Sequence, residues 1–118
     1  MPSRKLKAQS MEFAVSIVKL VNELRSGGES AISGRLEDCG IAVGSDIHAL
    51  QDAVDSAESL ALLQSALKGT GETAYWLELL NRAGYLSDLK YQMLDSDCTA
   101  LRVLILSEIR QIKELAEE

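Results

Sequence analysis

The chain has 118 residues, a length that suits one domain with a single hydrophobic core. Apolar residues make up 47% of the sequence, aromatic residues only 4%, and proline occurs once, so the composition excludes a disordered chain and argues against a strand-rich fold. The net charge of −6 argues against broad, non-specific binding to nucleic-acid backbones.

The first predicted helix covers about residues 3–25, with Ser10 as the alternative start. Apolar residues recur there at steps of three, four or seven, which is the spacing of one helix face. The pattern stops at Ser-Gly-Gly, residues 26–28, a strong helix breaker. Ala14, Val18 and Val21 widen the main apolar stripe, and Met11 and Val15 lie outside it. The stripe consists of Leu6, Phe13, Ile17, Leu20 and Leu24.

The second predicted helix covers about residues 30–54, with Ser30 as its N-cap. Its apolar positions alternate steps of four and three, as in a helix that faces a bundle core. Gly44-Ser45-Asp46 could instead end one helix and start another, and we prefer a continuous helix because the periodicity crosses this point. The stripe consists of Ile32, Leu36, Cys39, Val43, Ile47, Leu50 and Val54.

The third predicted helix covers about residues 56–83, and Gly84 follows it where a terminating glycine is expected. Two neighbouring stripes run along it, one through Leu63 and Leu77 and the other through Trp76 and Leu80. Lys68-Gly69-Thr70-Gly71 resembles a loop locally, so an earlier helix end in this run stays an open alternative.

The fourth predicted helix covers about residues 87–117, with Ser87 as its N-cap. Its stripe consists of Leu94, Cys98, Leu101, Ile105, Ile109, Ile112 and Ala116. Short connections between long amphipathic helices make antiparallel neighbours, so we predict an all-α, up-down-up-down four-helix bundle.

Some apolar residues exceed what a monomeric bundle needs. Met11 and Val15 on helix one, and Val103 and Leu106 on helix four, lie outside the stripes that face the core. Wider apolar arcs indicate a second buried surface. These four residues are therefore the candidate oligomer interface.

Residues able to perform chemistry are few and scattered. His48 is the single histidine, and no Ser, Cys or Glu stands at a spacing that would build a triad or a di-iron site around it. Cys39 and Cys98 form no CxxC pair and fall on apolar stripes, so we expect buried free thiols. Glu72 and Glu78 are predicted to be solvated or salt-bridged. We predict no catalytic residue, no metal and no cofactor.

Two features could contact nucleic acid. Arg4, Lys5 and Lys7 form a small basic group at the N-terminus, which a solvated tail explains equally well. Tyr75 and Trp76 could stack on bases, but their neighbours are apolar or acidic, so packing in the core or at a subunit interface is preferred.

Several runs resemble the bacterial four-helix proteins first noticed in intervening sequences of large-subunit ribosomal RNA genes, the S23-type proteins. The resemblance extends over about residues 10–113. Its most specific part is Glu-Thr-Ala-Tyr-Trp-Leu-Glu-Leu-Leu at residues 72–80, followed by Gly84-Tyr85-Leu86-Ser87. Further matching runs are Met11 to Val15, Ile17 to Leu20, Val43 to His48, and Ala66 to Lys68.

The resemblance implies a four-helix bundle assembled as a homopentameric ring, with no established catalytic residues. It also implies a nucleic-acid hypothesis, because a similar fold serves as the accessory protein of diversity-generating retroelements, where a basic pentamer binds nucleic acid and a reverse transcriptase. This chain departs from that pattern at three places. It has Asp38 where relatives often carry Arg, and residues 45–50 replace the usual Ala-Asn-Ile-x-Glu-Ala. It also has Gly69 and Gly71 in helix three, where relatives normally lack glycine. A charge reversal disfavours a phosphate contact at Asp38.

The sequence thus predicts a non-enzymatic, homo-oligomeric scaffold that binds copies of itself and an unidentified protein partner. The alternative is an accessory nucleic-acid-binding protein that acts with ribosomal RNA or a reverse transcriptase. No stretch has the roughly 18–20 apolar residues of a membrane span and no signal peptide is evident, so we expect a cytoplasmic protein.

Overall fold

The computed structural model describes residues 4–117, and the side chains of residues 4–116. It contains four α-helices, and a short 3-10 turn, Leu50–Asp52, follows the second of them. The helices are α1 Arg4–Ser26, α2 Ala31–Ala49, α3 Ser56–Arg82 and α4 Asp88–Glu117. The all-α prediction is confirmed; the expected start of the first helix at Ser3 lies outside the described residues.

The four helices pack in chain order. Each runs antiparallel to the one before it, and α4 also returns to contact α1. The order around the bundle is therefore α1, α2, α3, α4, with α1 and α2 forming one side and α3 and α4 the opposite side. The result is a narrow rod that measures 52 × 22 × 19 Å.

The predicted apolar stripes meet along the axis of this rod. Fully buried leucine, isoleucine and valine side chains come from all four helices, because each helix turns one stripe inward. Trp76 and Ile112 pack at the edge of the same core. The largest fully buried side chains are Leu6, Ile17, Leu20, Leu36, Ile47, Leu63, Leu77, Leu80, Leu101 and Ile105.

Tight glycine turns join α1 to α2 and α3 to α4. Gly28 has φ 94° and Gly84 has φ 87°, a left-handed conformation that glycine adopts without strain. The amide of Gly84 donates to the carbonyl of Asn81 (3.1 Å), and that of Tyr85 donates to Leu80 (3.0 Å). These two bonds form a Schellman motif, so the predicted terminating role of Gly84 is confirmed.

The second helix is shorter than the periodicity predicted. It ends at Ala49, and after the 3-10 turn the backbone of Ala53 is extended (φ −65°, ψ 131°). Asp55 then caps α3 by accepting a hydrogen bond from the amide of Glu58 (2.9 Å). The prediction that Val54 belongs to the apolar stripe is wrong, since this side chain lies in the connection and is 84% exposed.

Helices α2 and α3 continue through their interior glycines. A Cβ atom on Gly40 would lie 2.9 Å from Cγ2 of Ile17 in α1, and one on Gly69 would lie 2.7 Å from Cγ2 of Val43 in α2. Neither distance leaves room for a methyl group. The glycines therefore let neighbouring helices approach closely, and the continuous-helix prediction is confirmed for both α2 and α3.

Candidate interaction surfaces

A groove of about 790 Å³ runs between α1 and α2 on the outside of the bundle. Small side chains on both helices, such as Ala8, Ala14 and Gly44, leave its floor open. Arg4 and Lys7 stand at one end, on the same side of α1 because they are three residues apart. The groove is lined by Arg4, Lys7, Ala8, Ser10, Met11 and Ala14 from α1 and by Ile41, Gly44, Ser45 and His48 from α2.

Apolar side chains extend this groove along α1. Met11 is 60% exposed, and Val15, Val18 and Ile41 are each 40–45% exposed. Met11 and Val18 lie one turn either side of Ala14, whose Cβ approaches Gly44 of α2, so they flank α2 rather than α4. We call Met11, Val15, Val18 and Ile41 the α1/α2 face.

A second exposed apolar surface lies on the other side of the bundle. Val103 is 60% exposed and Leu106 is 40% exposed. The guanidinium of Arg102 donates a hydrogen bond to Thr70 Oγ1 of α3 (3.3 Å), so Arg102 lies on the side of α4 that faces α3. Leu106 is one turn beyond Arg102 and therefore lies on the same side. Tyr75 of α3 is 60% exposed, one turn beyond Gly71, which also faces Arg102. We call Tyr75, Val103 and Leu106 the α3/α4 face.

The four predicted interface residues therefore form two pairs rather than one patch. Met11 lies with Val15 and Val103 lies with Leu106, but the pairs are on opposite sides of the rod because α1–α2 and α3–α4 are its opposite sides. The sequence did not point to Val18 or Ile41. Val18 was assigned to the inward stripe of helix one, and the exposure of Ile41 becomes evident only once the helices are packed.

The basic residues at the N-terminus do not form a single patch. Lys7 Nζ donates a hydrogen bond to Gln51 Oε1 (2.6 Å), and Arg4 lines the same groove. Lys5 does not line the groove, because successive residues of a helix are turned by about 100°. Elsewhere Arg25 pairs with Glu37 (3.0 Å), Arg82 with Glu78 (3.1 Å), and Lys90 with Glu23.

The two cysteines lie inside the bundle as free thiols, as predicted. Thr73 Oγ1 donates a hydrogen bond to Cys39 Sγ (3.4 Å), and Cys98 Sγ donates to the carbonyl of Thr70 (3.3 Å). Burial raises the pKa of both thiols, and raises the pKa of Cys98 to about 11. The thiolate, which is the reactive form, is therefore disfavoured at both positions.

The remaining groups singled out from the sequence are separate from one another. His48 is exposed, and its Nδ1 lies 3.3 Å from the side-chain amide of Gln51. Glu72 is exposed, and Glu78 is exposed and paired with Arg82. Tyr75 is outside the core and meets Trp76 edge to face, with ring centroids 5.1 Å apart.

Among residues 4–117, no three or more His, Cys, Asp or Glu side chains are grouped so that they could hold a metal ion. None of the helices in the described part of the chain is both long enough and apolar enough to cross a membrane.

Residues 4–107 match the model of the 23S rRNA-intervening sequence protein family. The chain belongs to this family. It is also similar to a crystal structure, at 1.70 Å resolution, of a protein of unknown function from the S23 ribosomal protein family of Bacteroides thetaiotaomicron VPI-5482. The two chains are 35% identical, with 88% of this chain and 97% of that one covered and a TM-score of 0.86. No curated protein matches the sequence.

Membership of the 23S rRNA-intervening sequence protein family confirms the resemblance drawn from the runs at residues 72–80 and 84–87. It covers all of α1, α2 and α3 and the greater part of α4, including Val103 and Leu106. Both exposed apolar faces therefore belong to the part of the chain that the family defines.

Proposed function

We propose that this intervening-sequence protein is a non-enzymatic scaffold that assembles with copies of itself, as a ring of five, and presents that assembly to a protein partner. The observation that carries the proposal is the pair of exposed apolar faces on opposite sides of the bundle. A ring subunit has two neighbours and needs one contact surface for each. Clustered exposed apolar side chains are typical of surfaces that bind another protein.

The surface area of the isolated chain supports self-association. It exposes 7103 Å², whereas a monomeric protein of 12.8 kDa is expected to expose about 6,300 Å². The excess arises because the molecule is a narrow rod, 52 Å long and about 20 Å across. Side-by-side packing of such rods would cover the apolar faces along their length.

The distribution of chemical groups supports a non-enzymatic role. His48 is exposed beside the groove, Cys39 and Cys98 are buried with raised pKa values, and Glu78 is paired with Arg82. A catalytic site requires such groups within hydrogen-bond reach of one another and of a shared cavity. Here the two thiols lie inside the bundle against one turn of α3, at Thr70 and Thr73, whereas His48 and Glu78 are on its surface.

The proposal is tested by native mass spectrometry and light scattering on the wild-type protein and three variants. We expect a closed oligomer for the wild type and a shift toward monomers for Val103→Glu and Leu106→Glu, because assembly would bury an unpaired carboxylate. Val54→Glu is the matched control, since Val54 is 84% exposed and lies outside both faces. It should assemble like the wild type.

A wild-type protein that stays monomeric at all concentrations would refute self-association. Wild-type assembly that persists in both α4 variants would remove Val103 and Leu106 from the interface. Protein purified from its own host without nuclease treatment would show a bound protein partner as additional mass that ribonuclease does not remove.

The second candidate function is nucleic-acid binding with ribosomal RNA or a reverse transcriptase. The observation that favours it is the placement of Arg4 and Lys7 on one wall of the groove in an otherwise acidic chain. It predicts RNA affinity that falls steeply with salt and is lost on replacing Arg4, Lys5 and Lys7 by Ala. Binding that is absent in the wild type, or unchanged in the triple variant, would reject this version.

A further inference from the structure

We infer that the groove between α1 and α2 binds a free acyl carboxylate of medium chain length. Its carboxylate would lie at Arg4 and Lys7, and its hydrocarbon chain would lie along Ala8, Met11 and Ala14. A single chain supplies the whole site, so binding goes beyond the proposed function and does not depend on self-association. The charge, the apolar surface and the length of the groove all point to this ligand.

Cationic side chains lie at one end of the groove, and none of the described residues that line it is acidic. Arg4 and Lys7 of α1 lie near His48 at this end, because α2 runs antiparallel to α1. Asp and Glu outnumber Lys and Arg by 18 to 12 in the whole chain. Lys7 Nζ donates to the neutral side chain of Gln51 (2.6 Å), and within the described part of the chain neither cation forms a salt bridge. An anion is therefore the group that this end of the groove is suited to bind.

Beyond these cations the groove is mostly apolar. Ala8, Met11 and Ala14 follow one another along α1. The hydroxyl of Ser10 donates to a backbone carbonyl of its own helix (2.9 Å), so it is already satisfied. Ser45, on the α2 rim, is then the one described lining residue of this part with a free polar side chain. A hydrocarbon chain gains free energy by leaving water for such a surface.

The same distribution distinguishes an acyl chain from a helix of a partner protein. An amphipathic helix carries polar side chains along both edges of its apolar face, so it would need polar groups along the whole length of the groove. The rim here is formed by Met11 and Ile41, whose side chains are 60% and 40% exposed. An acyl carboxylate has one charged end and an apolar remainder, as the groove has.

The length of the groove sets the length of the ligand. From Arg4 to Ala14, α1 rises by about 15 Å, which equals an extended chain of about twelve carbons. The groove volume of about 790 Å³ lies within the usual range of small-molecule sites, about 300–1,000 Å³. Met11 belongs to both the groove and the α1/α2 face, so a neighbouring copy on that face would cover the bound chain. Dodecanoate is therefore the probe.

Isothermal titration calorimetry with dodecanoate, kept below its micelle-forming concentration, measures binding to the wild-type protein. We expect one dodecanoate per chain. Arg4→Gln/Lys7→Gln should bind at least about tenfold more weakly, because the carboxylate loses two charged donors. Lys5→Gln is the matched control, since Lys5 is exposed and does not line the groove. Its affinity should stay within about a factor of two of the wild type, because solvent and salt screen a charge outside the groove.

Two further measurements test the location and the sign of the charge. Ala8→Trp fills the groove from an exposed position and should abolish binding while the helical circular-dichroism spectrum is kept. Ser45→Trp, also at an exposed position, repeats this test from α2 should the first variant lose its helices. Dodecyltrimethylammonium has the same hydrocarbon chain and the opposite charge, and it should not bind.

Each other outcome overturns a specific statement. An absence of dodecanoate binding rejects the ligand, and equal affinity for dodecyltrimethylammonium rejects the recognition of an anion. Unchanged affinity in Arg4→Gln/Lys7→Gln rejects the carboxylate contact, and unchanged affinity in Ala8→Trp rejects the groove as the site. The mass of the wild-type protein tests self-association separately, so a failure of either proposal is distinguished from a failure of the other.

Discussion

Gly69 shows how a single residue sets the distance between two helices. An added Cβ would lie 2.7 Å from Cγ2 of Val43. Valine in a helix has one strongly preferred rotamer, so that methyl group cannot turn away at low cost. A glycine inside a helix is unfavourable by about 1 kcal/mol relative to alanine, and close packing of α2 on α3 offsets this.

We expect Gly69→Ala to lower the free energy of unfolding by about 1 kcal/mol, since overpacking costs about 1–3 kcal/mol and the gain in helix propensity is about 1 kcal/mol. Gly34→Ala is the matched control in α2, because no atom lies within 4 Å of its added Cβ. It should stabilise the protein by up to about 1 kcal/mol. Urea unfolding at one protein concentration measures both changes.

A double variant tests whether the clash of the added Cβ is with Val43. The double variant Gly69→Ala/Val43→Ala should lose less stability than the sum of its single variants, because the two substitutions relieve the same clash. Equal stabilisation by Gly69→Ala and Gly34→Ala would mean that the helices separate freely at this point, contrary to the packing described.

At the scale of the elements, the start of α2 depends on a residue that the sequence did not single out. Ser30 was the predicted N-cap, but its side chain makes no capping hydrogen bond. Instead, the carboxylate of Glu29 accepts hydrogen bonds from the backbone amides of Ile32 (N to O distance 2.8 Å) and Ser33 (2.7 Å). The Glu29 side chain is buried. The Schellman turn at Gly28 brings Glu29 into this position.

We expect Glu29→Ala to destabilise the protein by about 1–2 kcal/mol, because two amides, one buried and one partly buried, lose their acceptor and a negative charge leaves the helix N-terminus. Ser30→Ala should change stability by less than about 0.5 kcal/mol. Thermal and urea unfolding of the two variants test the assignment. A larger effect at Ser30 than at Glu29 would reverse it.

The elements themselves were largely predictable, and the exceptions have physical causes. Periodicity identified the inward positions of α1 and α4, because burial repeats with the helix period. It failed at Val54, where the spacing continued by coincidence beyond the end of α2, and at Ala116, which is exposed near the end of α4. Periodicity also did not decide whether the helices continue through Gly44 and Gly69. The contact that compensates an interior glycine lies on another helix, so a local pattern does not show it.

At the scale of the whole molecule, self-association should couple to stability. If folded copies bind one another, the melting temperature of the wild type rises with protein concentration, because association favours the folded state by mass action. Val103→Glu should melt at a temperature that does not depend on concentration. Circular-dichroism melts over a wide concentration range measure this, and superimposable wild-type curves would contradict it.

The candidate surfaces were predictable only in part. Widened apolar arcs pointed to Met11, Val15, Val103 and Leu106, and all four side chains are exposed. Their division between opposite sides of the rod depends on which helices are neighbours. The apolar pattern of a single helix does not show this. The groove likewise exists only after Ala14 and Gly44, from different helices, have been brought together.

The two glycine turns have a consequence for the rate at which the chain folds. Gly28 and Gly84 close two helical hairpins, α1 with α2 and α3 with α4, whose partners are separated by only a few residues of chain. Contacts that are local in sequence require little loop-closure entropy, and proteins rich in them fold in microseconds to milliseconds. The connection between α2 and α3, residues 50–55, is also short, so every pair of consecutive helices meets through local contacts, and we expect the whole chain to fold within this range of times.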